Sequence, residues 1–535
     1  MSSRKHPSLS SVPPTPGKDG YQGYTFKDKD THVASVVKPH FKYGLYLFFF
    51  LTIWFLLLFF WFPSTKPAVS PPIIQNSNSY VQNPTAEKVQ VKLEEKVQVK
   101  PAEKAQVKPV EKAKVKPVEK AKVKPAQKAQ VKPVEKAQVK PAEKASVLVY
   151  VYELPPKFNI GLLKECRRLN VYTDMCPHVA NSGLGQPILE MGSSWFATHQ
   201  FIAEMIFHAR MENHPCRTRD PEKADLFYVP FYGGLYASSK FRESNLAARD
   251  ALAVELVEYI HRQRWWRRNH GADHFLALGR TAWDFMRTDG GTDFGANRLL
   301  NLPPVKNMSV LTVERHPWEG SNQYGIPYPS YFHPSTSDEI LTWQNRMRLQ
   351  RRLHLFSFIG APRTGVEKAA IRDEIIKQCA ESTRCHLLKC GSGASQCHEP
   401  TQVLNVMTQS EFCLQAPGDS FTRRSTFDSV LAGCIPVFVS PHTAYSQYSW
   451  FLPADHTTYS VFIGDENPSI EAELLKIPND QIQKMRNRVI NLIPNLTYIH
   501  PNSSDFSFTD AVDVALGKLS DYVKSKLRGH GVTVH

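Results

Sequence analysis

From about residue 147 the chain alternates short apolar runs with longer stretches of helical spacing. Val147-Leu-Val-Tyr-Val-Tyr152, Leu226-Phe-Tyr-Val-Pro-Phe-Tyr232, His274-Phe-Leu-Ala-Leu-Gly279, Leu353–Gly360 and Cys385–Lys389 are runs of strand length, and several of them feed a loop. Apolar positions spaced for one face predict helices over 196–211, 247–264, 366–382, 400–409, 471–493 and 507–528, and 336–352 reads as a polar helix. Between Glu411 and Phe438 the pattern is strand end, Gly-containing loop, amphipathic helix, Gly stop, buried strand. Alternating strands and helices predict parallel sheets covered by helices on both faces. The polar stretch before Leu353 divides the pattern into two such blocks, 147–350 and 351–535.

The N-terminal part follows other rules. Tyr43–Phe62 is a run of twenty residues without a charge. Such a run crosses a bilayer core of about 30 Å as a helix. It starts too late and runs too long for a cleaved leader, and no polar face marks it as a core helix. Lys27, Lys29, Lys38 and Lys42 precede it and only Lys66 follows closely, so residues 1–42 are expected in the cytosol and the bulk of the chain in the lumen. Residues 63–146 read as a stem. From about Val91 they repeat the octapeptide Val-Lys-Pro-(Ala/Val)-Glu-Lys-Ala-(Gln/Lys), without aromatics and with proline at every eighth position. Such a segment forms no core and predicts a solvated, self-repelling, extended spacer.

That division disposes of the charge. The chain of 535 residues has a net charge of +15, which by itself suggests a nucleic-acid partner. The stem from Ala86 to Ser146 holds 17 Lys and 8 Glu, and residues 1–42 hold 7 basic residues against 3 Asp. With Lys66 they account for all but one of the positive charges, so the region from Val147 on is nearly neutral and no nucleic-acid ligand is expected. All nine cysteines (166, 176, 216, 379, 385, 390, 397, 413 and 434) follow the apolar run, in a compartment that permits disulfides. Cys379, Cys385, Cys390 and Cys397 are close enough for disulfides and lack the paired Cys-x-x-Cys spacing of a zinc site, whereas Cys434 reads as a buried free thiol. Asn307, Asn495 and Asn502 are sequons on the lumenal side.

The segment 411–438 carries the chemistry. A loop that opens a helix offers free N–H groups and a positive dipole end, which suits a diphosphate. Gly418, Asp419, Ser420 and Ser425 lie on that loop and helix start, with Asp419 and Ser420 also able to cap it. Arg423 and Arg424 are expected in the first turn, a placement that an anion would relieve, and Asp428 one turn on is spaced to reach a ribose hydroxyl. Asp284 and His274 are expected at strand-to-loop transitions, where ligands gather in open α/β sheets, and are candidate catalytic bases; Glu314 is a weaker one, and Arg280 is placed to pair with Asp284.

The segment Glu411–Phe438 resembles the sugar-nucleotide-binding segment of the plant exostosin-like glycosyltransferases, in particular the xyloglucan galactosyltransferase branch. The resemblance continues in order through Val149-Tyr-Val-Tyr-Glu-Leu-Pro-Pro156, Trp195-Phe, Phe227-Tyr-Val-Pro-Phe-Tyr-Gly-Gly-Leu235, Asp273-His-Phe, Ala282-Trp-Asp284, Ile326-Pro-Tyr-Pro and Gly360-Ala-Pro-Arg363. It implies a GT-B-like fold, two Rossmann-like α/β domains facing a cleft, with the acceptor on the first and the nucleotide sugar on the second. It also implies a single-pass type II Golgi membrane enzyme that moves galactose from UDP-galactose, with inversion, onto xyloglucan. Relatives within the resemblance use UDP-galacturonic acid or a UDP-pentose, or galactosylate mannan. Asp28-Lys-Asp30 is the chain's Asp-x-Asp, and it precedes the apolar run, so no cofactor and no metal are expected. Complexes with other Golgi glycosyltransferases, or a non-catalytic scaffold role in the Golgi, are the remaining expectations. Two departures stand out: Asn322-Gln323-Tyr324 where the family shows Asn-Asp-Phe, and His199 where it shows Asn, which removes His199 from the catalytic candidates.

Overall fold

Apolar runs that alternate with helices bury both faces of a parallel strand, and here they build two sheets. The computed structural model describes Trp54 and residues 147–288, 295–391, 395–464, 469–505 and 507–529. The first sheet holds β1 (Val149–Val151), β2 (Arg217–Thr218), β3 (Leu226–Val229), β4 (His274–Thr281), β5 (Ser309–Glu314) and β6 (Gln323–Gly325), in the order β2-β1-β3-β4-β5-β6. The second holds β7 (His354–Gly360), β8 (Cys385–Lys389), β9 (Ser410–Gln415), β10 (Ile435–Phe438) and β11 (Val461–Phe462), in the order β11-β10-β9-β7-β8. Every pairing in both sheets is parallel. Both are doubly wound with one pattern: the first connection runs to one side of the opening strand and the rest to the other. The order therefore reverses between β1 and β3 in one sheet and between β7 and β9 in the other, and ligands bind at the carboxyl ends of strands at such points.

Two segments cross the boundary drawn at residue 350. The helix Ser337–Leu349, opened by a capping box of Thr336 and Glu339, packs on the helix Asn479–Leu496 of the second block. There the Trp343 indole N–H donates to Leu431 O at 2.8 Å and the Gln344 amide to Ile490 O at 2.8 Å. The last helix, Ala511–Gly529, returns to the first block. Asp510, just before it, pairs with Arg210 at 3.2 Å with both side chains buried, and Tyr522 lies edge-on to Tyr324 of β6 at 5.2 Å. Both crossings bury side chains at the seam: Trp343 packs on Trp195 and Phe332 of the first block while its indole N–H bonds to Leu431 O of the second.

The helix expected over 471–493 is two, Ile470–Leu475 and Asn479–Leu496, parted at Pro478, which lacks an N–H and biases Ile477 toward extended backbone. The helix expected from 196 starts at Ala203, because Trp195 and Phe196 are engaged in bridges to Phe332 and Pro187. Disulfides join Cys166 to Cys176, Cys379 to Cys385, Cys390 to Cys397 and Cys413 to Cys434. Cys434 is thus not the free thiol expected. Cys413 lies on β9 opposite Pro436 of neighbouring β10, and Cys434 directly precedes β10, so the pairing brings their Cα atoms to 5.8 Å. Asn307 and Asn502 are exposed and Asn495 is half-buried on its helix. Among the described residues no helix is long and apolar enough to cross a membrane. The expected cytosolic tail, membrane span and stem lie outside the described residues except for Trp54.

Candidate active site

The β9–helix loop, residues 416–424, leaves the carboxyl end of β9 at the point where the second sheet reverses its order. Three arginines converge on it. Arg372 is buried and donates to Ala361 O, Ala416 O and Pro417 O at 2.7, 3.2 and 3.1 Å. Burial, with Arg423 and Arg363 nearby, pulls its pKa down to about 10. Arg363, at the carboxyl end of β7, meets Asp419 at 2.5 Å, and Arg423 stands 3.7 Å from the same carboxylate. Arg423 also donates to the Ser420 hydroxyl at 3.0 Å. Three guanidinium groups around one carboxylate leave an excess of positive charge on a loop of backbone amides, a setting that suits a diphosphate. Gly418 makes the approach possible, since a Cβ there would lie 2.0 Å from the Arg423 Nη2.

The helix that follows is Ser425–Leu431, with Arg424 at its N-cap, so neither arginine lies in its first turn and neither Asp419 nor Ser420 caps it. The two arginines separate in role. Arg423 stays with the loop. Arg424 reaches into the first block, donating to Thr198 O at 2.9 Å and to the Tyr331 hydroxyl, with its guanidinium 4.2 Å over the Tyr331 ring. It also pairs with Asp428 at 3.3 Å. Asp428 is only 2% exposed and accepts from the Ser330 hydroxyl at 2.5 Å, so its carboxylate is turned inward rather than offered to a ribose. Burial pushes its pKa up, against the pull of Arg424. Ser425 donates to the Gln415 side chain at 2.7 Å and fixes the helix start to β9.

The first block brings three buried carboxylates to the same edge. Glu314 ends β5 and is fully buried; its Oε1 accepts the N–H groups of Phe421 and Thr422 across the two blocks at 2.8 and 3.0 Å. Burial raises its pKa to about 7 despite those bonds and nearby Arg423. Glu204 accepts from Gly234, Leu235 and Gly279 at 2.8–2.9 Å and is likewise raised to about 7 by burial. Asp284 follows β4, and its Oδ2 takes both Arg280 Nε and the Thr281 hydroxyl at 2.8 Å. His274 does not join them. It opens β4 at the opposite end of the sheet, fully buried, bonded to Asp273 and the Tyr152 hydroxyl and stacked on Phe227 at 4.8 Å. Its position is that of a core residue, because a strand's first residue lies away from the carboxyl ends where ligands gather. His199 packs between His178 and Phe201, and burial with His178 and Arg424 lowers its pKa to about 3.

Sequence reading missed Arg363, Arg372 and Glu204. Arg363 was legible as a charge just past an apolar run, and Glu204 as a lone acid inside Phe201-Ile-Ala-Glu-Met-Ile-Phe207. Arg372 sits on a helix where charge at that spacing reads as a solvated face.

The exostosin GT47 domain matches residues 143–477 of this chain. A protein described as probable xyloglucan galactosyltransferase GT17 of Arabidopsis thaliana is 66% identical over 380 residues, 71% of this chain and 83% of that protein. Xyloglucan galactosyltransferase MUR3 of the same plant is 46% identical over 386 residues, 70% of this chain and 62% of that longer protein. Xyloglucan-specific galacturonosyltransferase 1, also from Arabidopsis thaliana, is 41% identical over 379 residues, 69% of this chain and 56% of that one. With a doubly wound pair of sheets and an arginine-lined loop at one reversal point, and with these matches over most of its folded length, the chain belongs to the exostosin GT47 family of glycosyltransferases.

Proposed function

We propose that the chain is a xyloglucan galactosyltransferase that moves galactose from UDP-galactose, with inversion, onto a side-chain xylose. The observation that carries this is the 66% identity across 83% of a protein described as a probable xyloglucan galactosyltransferase. Convergence of Arg363, Arg372 and Arg423 on the loop at the β7/β9 reversal supports it. In this reading the two sheets are the halves of a GT-B enzyme, and the 417–420 amides, Arg423 and Arg363 hold the diphosphate. Negative charge grows on the leaving diphosphate as the sugar bond breaks, so Arg423 acts most strongly in the transition state. The acceptor hydroxyl forms the new bond to the anomeric carbon as its proton passes to Asp284, which Arg280 and Thr281 keep in one orientation. Asp428 orients Arg424, and a ribose contact would require it to exchange the Ser330 bond. Arginine and amide groups supply the positive charge, so the reaction proceeds without a metal. The protein is anchored as a single-pass type II protein of the Golgi membrane, with its catalytic region lumenal, residues 63–146 as spacer, and glycans on the exposed sequons Asn307 and Asn502.

A secreted form beginning at Ala145, assayed with UDP-galactose, UDP-galacturonic acid and UDP-pentoses against xyloglucan and mannan oligosaccharides, tests this. Galactosyl transfer to xyloglucan, retained in EDTA, is expected. Preference for another donor or for mannan would replace the substrate assignment, and binding of glycan without turnover would replace the enzyme by a scaffold.

A further inference from the structure

One large apolar side chain lies exposed beside the arginine-lined loop. Trp318, in the β5–β6 connection, is 68% exposed. Its indole is nevertheless fixed: His316, Phe421 and His442 surround it at centroid distances of 5.8, 5.7 and 5.3 Å, at steep angles of 65–83°. The backbone under it is tied as well, since the N–H of Glu319 donates to His316 Nδ1 at 2.9 Å and the N–H of His316 to the Gln323 side chain at 3.1 Å. The ring chain extends to Trp283, 5.9 Å from His316 and next in sequence to Asp284. At its other end is Phe421, whose N–H is held by Glu314. A mobile exposed tryptophan needs no explanation, but one clamped by three rings is preorganised to present its apolar area.

We propose that Trp318 is the stacking platform of an acceptor subsite for a neutral β-linked glucan chain. The proposal rests on the transferase reading above and names the part of the substrate bound outside the reacting sugar. Pyranose rings of such a chain expose an apolar face of C–H groups, which matches an indole, and their rim hydroxyls suit a polar surround. The near neutrality of residues 147–535 argues for an uncharged polymer rather than an acidic one. Continuity is the second argument. The ring chain joins Asp284, the residue placed to receive the acceptor's proton, to the loop placed to hold the diphosphate. A glucan backbone on Trp318 therefore lies along the line on which its side-chain sugar must meet the donor.

The test compares the lumenal protein with Trp318→Ala and Trp318→Phe, titrating cello-oligosaccharides and xyloglucan oligosaccharides by calorimetry without donor, and UDP separately. Glycan affinity is expected to fall about tenfold in the alanine variant and to recover in part with phenylalanine. KM for acceptor should rise by a similar factor with kcat and UDP affinity unchanged, and longer oligosaccharides should lose most. Wild-type glycan affinity in a folded Trp318→Ala protein overturns the platform. So does a loss of UDP affinity, which would make Trp318 a prop for the donor loop, or a changed oligomeric state with glycan binding intact, which would make it a protein contact. The two readings fail separately: if the wild type transfers no galactose but binds cello-oligosaccharides through Trp318, the platform stands and the transferase assignment falls.

Discussion

Glu314 offers a perturbation whose sign depends on pH. Its Oε1 accepts the N–H groups of Phe421 and Thr422 in a fully buried setting. Stripping the side chain in Glu314→Ala leaves two buried amides unmatched, at about 1–3 kcal/mol each. Against that, burial raises the carboxyl pKa from its ordinary 4.5 to about 7. A rise of that size penalises the folded state by about 3 kcal/mol once the group is ionised. Between about pH 4.5 and pH 7 the folded protein binds more protons than the unfolded chain, so this group's contribution is fully present below that window and is lost as pH rises through it. Glu204, raised to about 7 in the same way, adds a slope of the same sign. Glu314→Gln keeps an acceptor for both amides and cannot ionise. It should match the wild type at pH 4.5, exceed it by up to about 3 kcal/mol at pH 8, and halve the decline of stability with pH. Urea unfolding midpoints from pH 4.5 to 8 measure this. A Gln variant with the full wild-type slope would refute the reasoning. Turnover adds a second reading: Glu314→Gln should retain kcat, and a hundredfold loss with UDP affinity intact would make Glu314, not Asp284, the group that takes the proton.

Gly418→Ala places a Cβ 2.0 Å from Arg423 Nη2 and should displace that guanidinium, lowering kcat about tenfold with thermal unfolding little changed. Arg423→Ala should cost roughly ten- to a hundredfold in rate, as expected for a charge-assisted contact worth about 1.5–3 kcal/mol, with kcat hit harder than KM. Arg424→Ala removes bonds to Thr198 and Tyr331 and leaves Asp428 buried without its partner, so it should lower stability by about 3 kcal/mol while UDP affinity changes less. Cys413→Ser opens a bridge with a sequence separation of 21 beneath the loop and should cost about 3 kcal/mol of stability, read by denaturant unfolding.

What was legible in the sequence is what local pattern encodes. Strands such as Leu226–Val229 and Ile435–Phe438 are buried on both faces and read as apolar runs, and the segment around Arg423 was recognisable because its punctuation is contiguous. What was not legible was the local setting that a partner far along the chain decides. His274 looked like a residue at a strand's end because its neighbours are apolar, but strand direction, not composition, decides which end faces ligand. Cys434 looked like a lone thiol until the β9–β10 pairing brought it to Cys413. Asp428 had the spacing for a ribose, yet Ser330, 98 residues away, occupies its carboxylate. Glu314 was a minor candidate because nothing near it in sequence hints at the amides of Phe421 and Thr422, 107 and 108 residues on.

Those distant partners have one arrangement in common: the end of the 416–424 loop and the helix after it are tied to the first block. Glu314 ends a strand of the first sheet and fixes the amides of residues 421 and 422; Thr198 and Tyr331 fix Arg424; Ser330 fixes Asp428. The Gln447 side chain exchanges hydrogen bonds of 2.8 and 3.0 Å with the Arg315 backbone, and the Tyr448 hydroxyl donates to Val313 O at 2.6 Å. Glycosyl transfer requires the acceptor hydroxyl and the anomeric carbon to meet within a few tenths of an ångström of a productive geometry. If donor and acceptor were held by independent domains, that distance would vary with every motion between them. Here the bonds that hold residues 421, 422 and 424 also join the blocks, so in the proposed mechanism donor position and acceptor position are set together. Loosening the seam at Arg424 should then lower kcat through misalignment even where each substrate still binds.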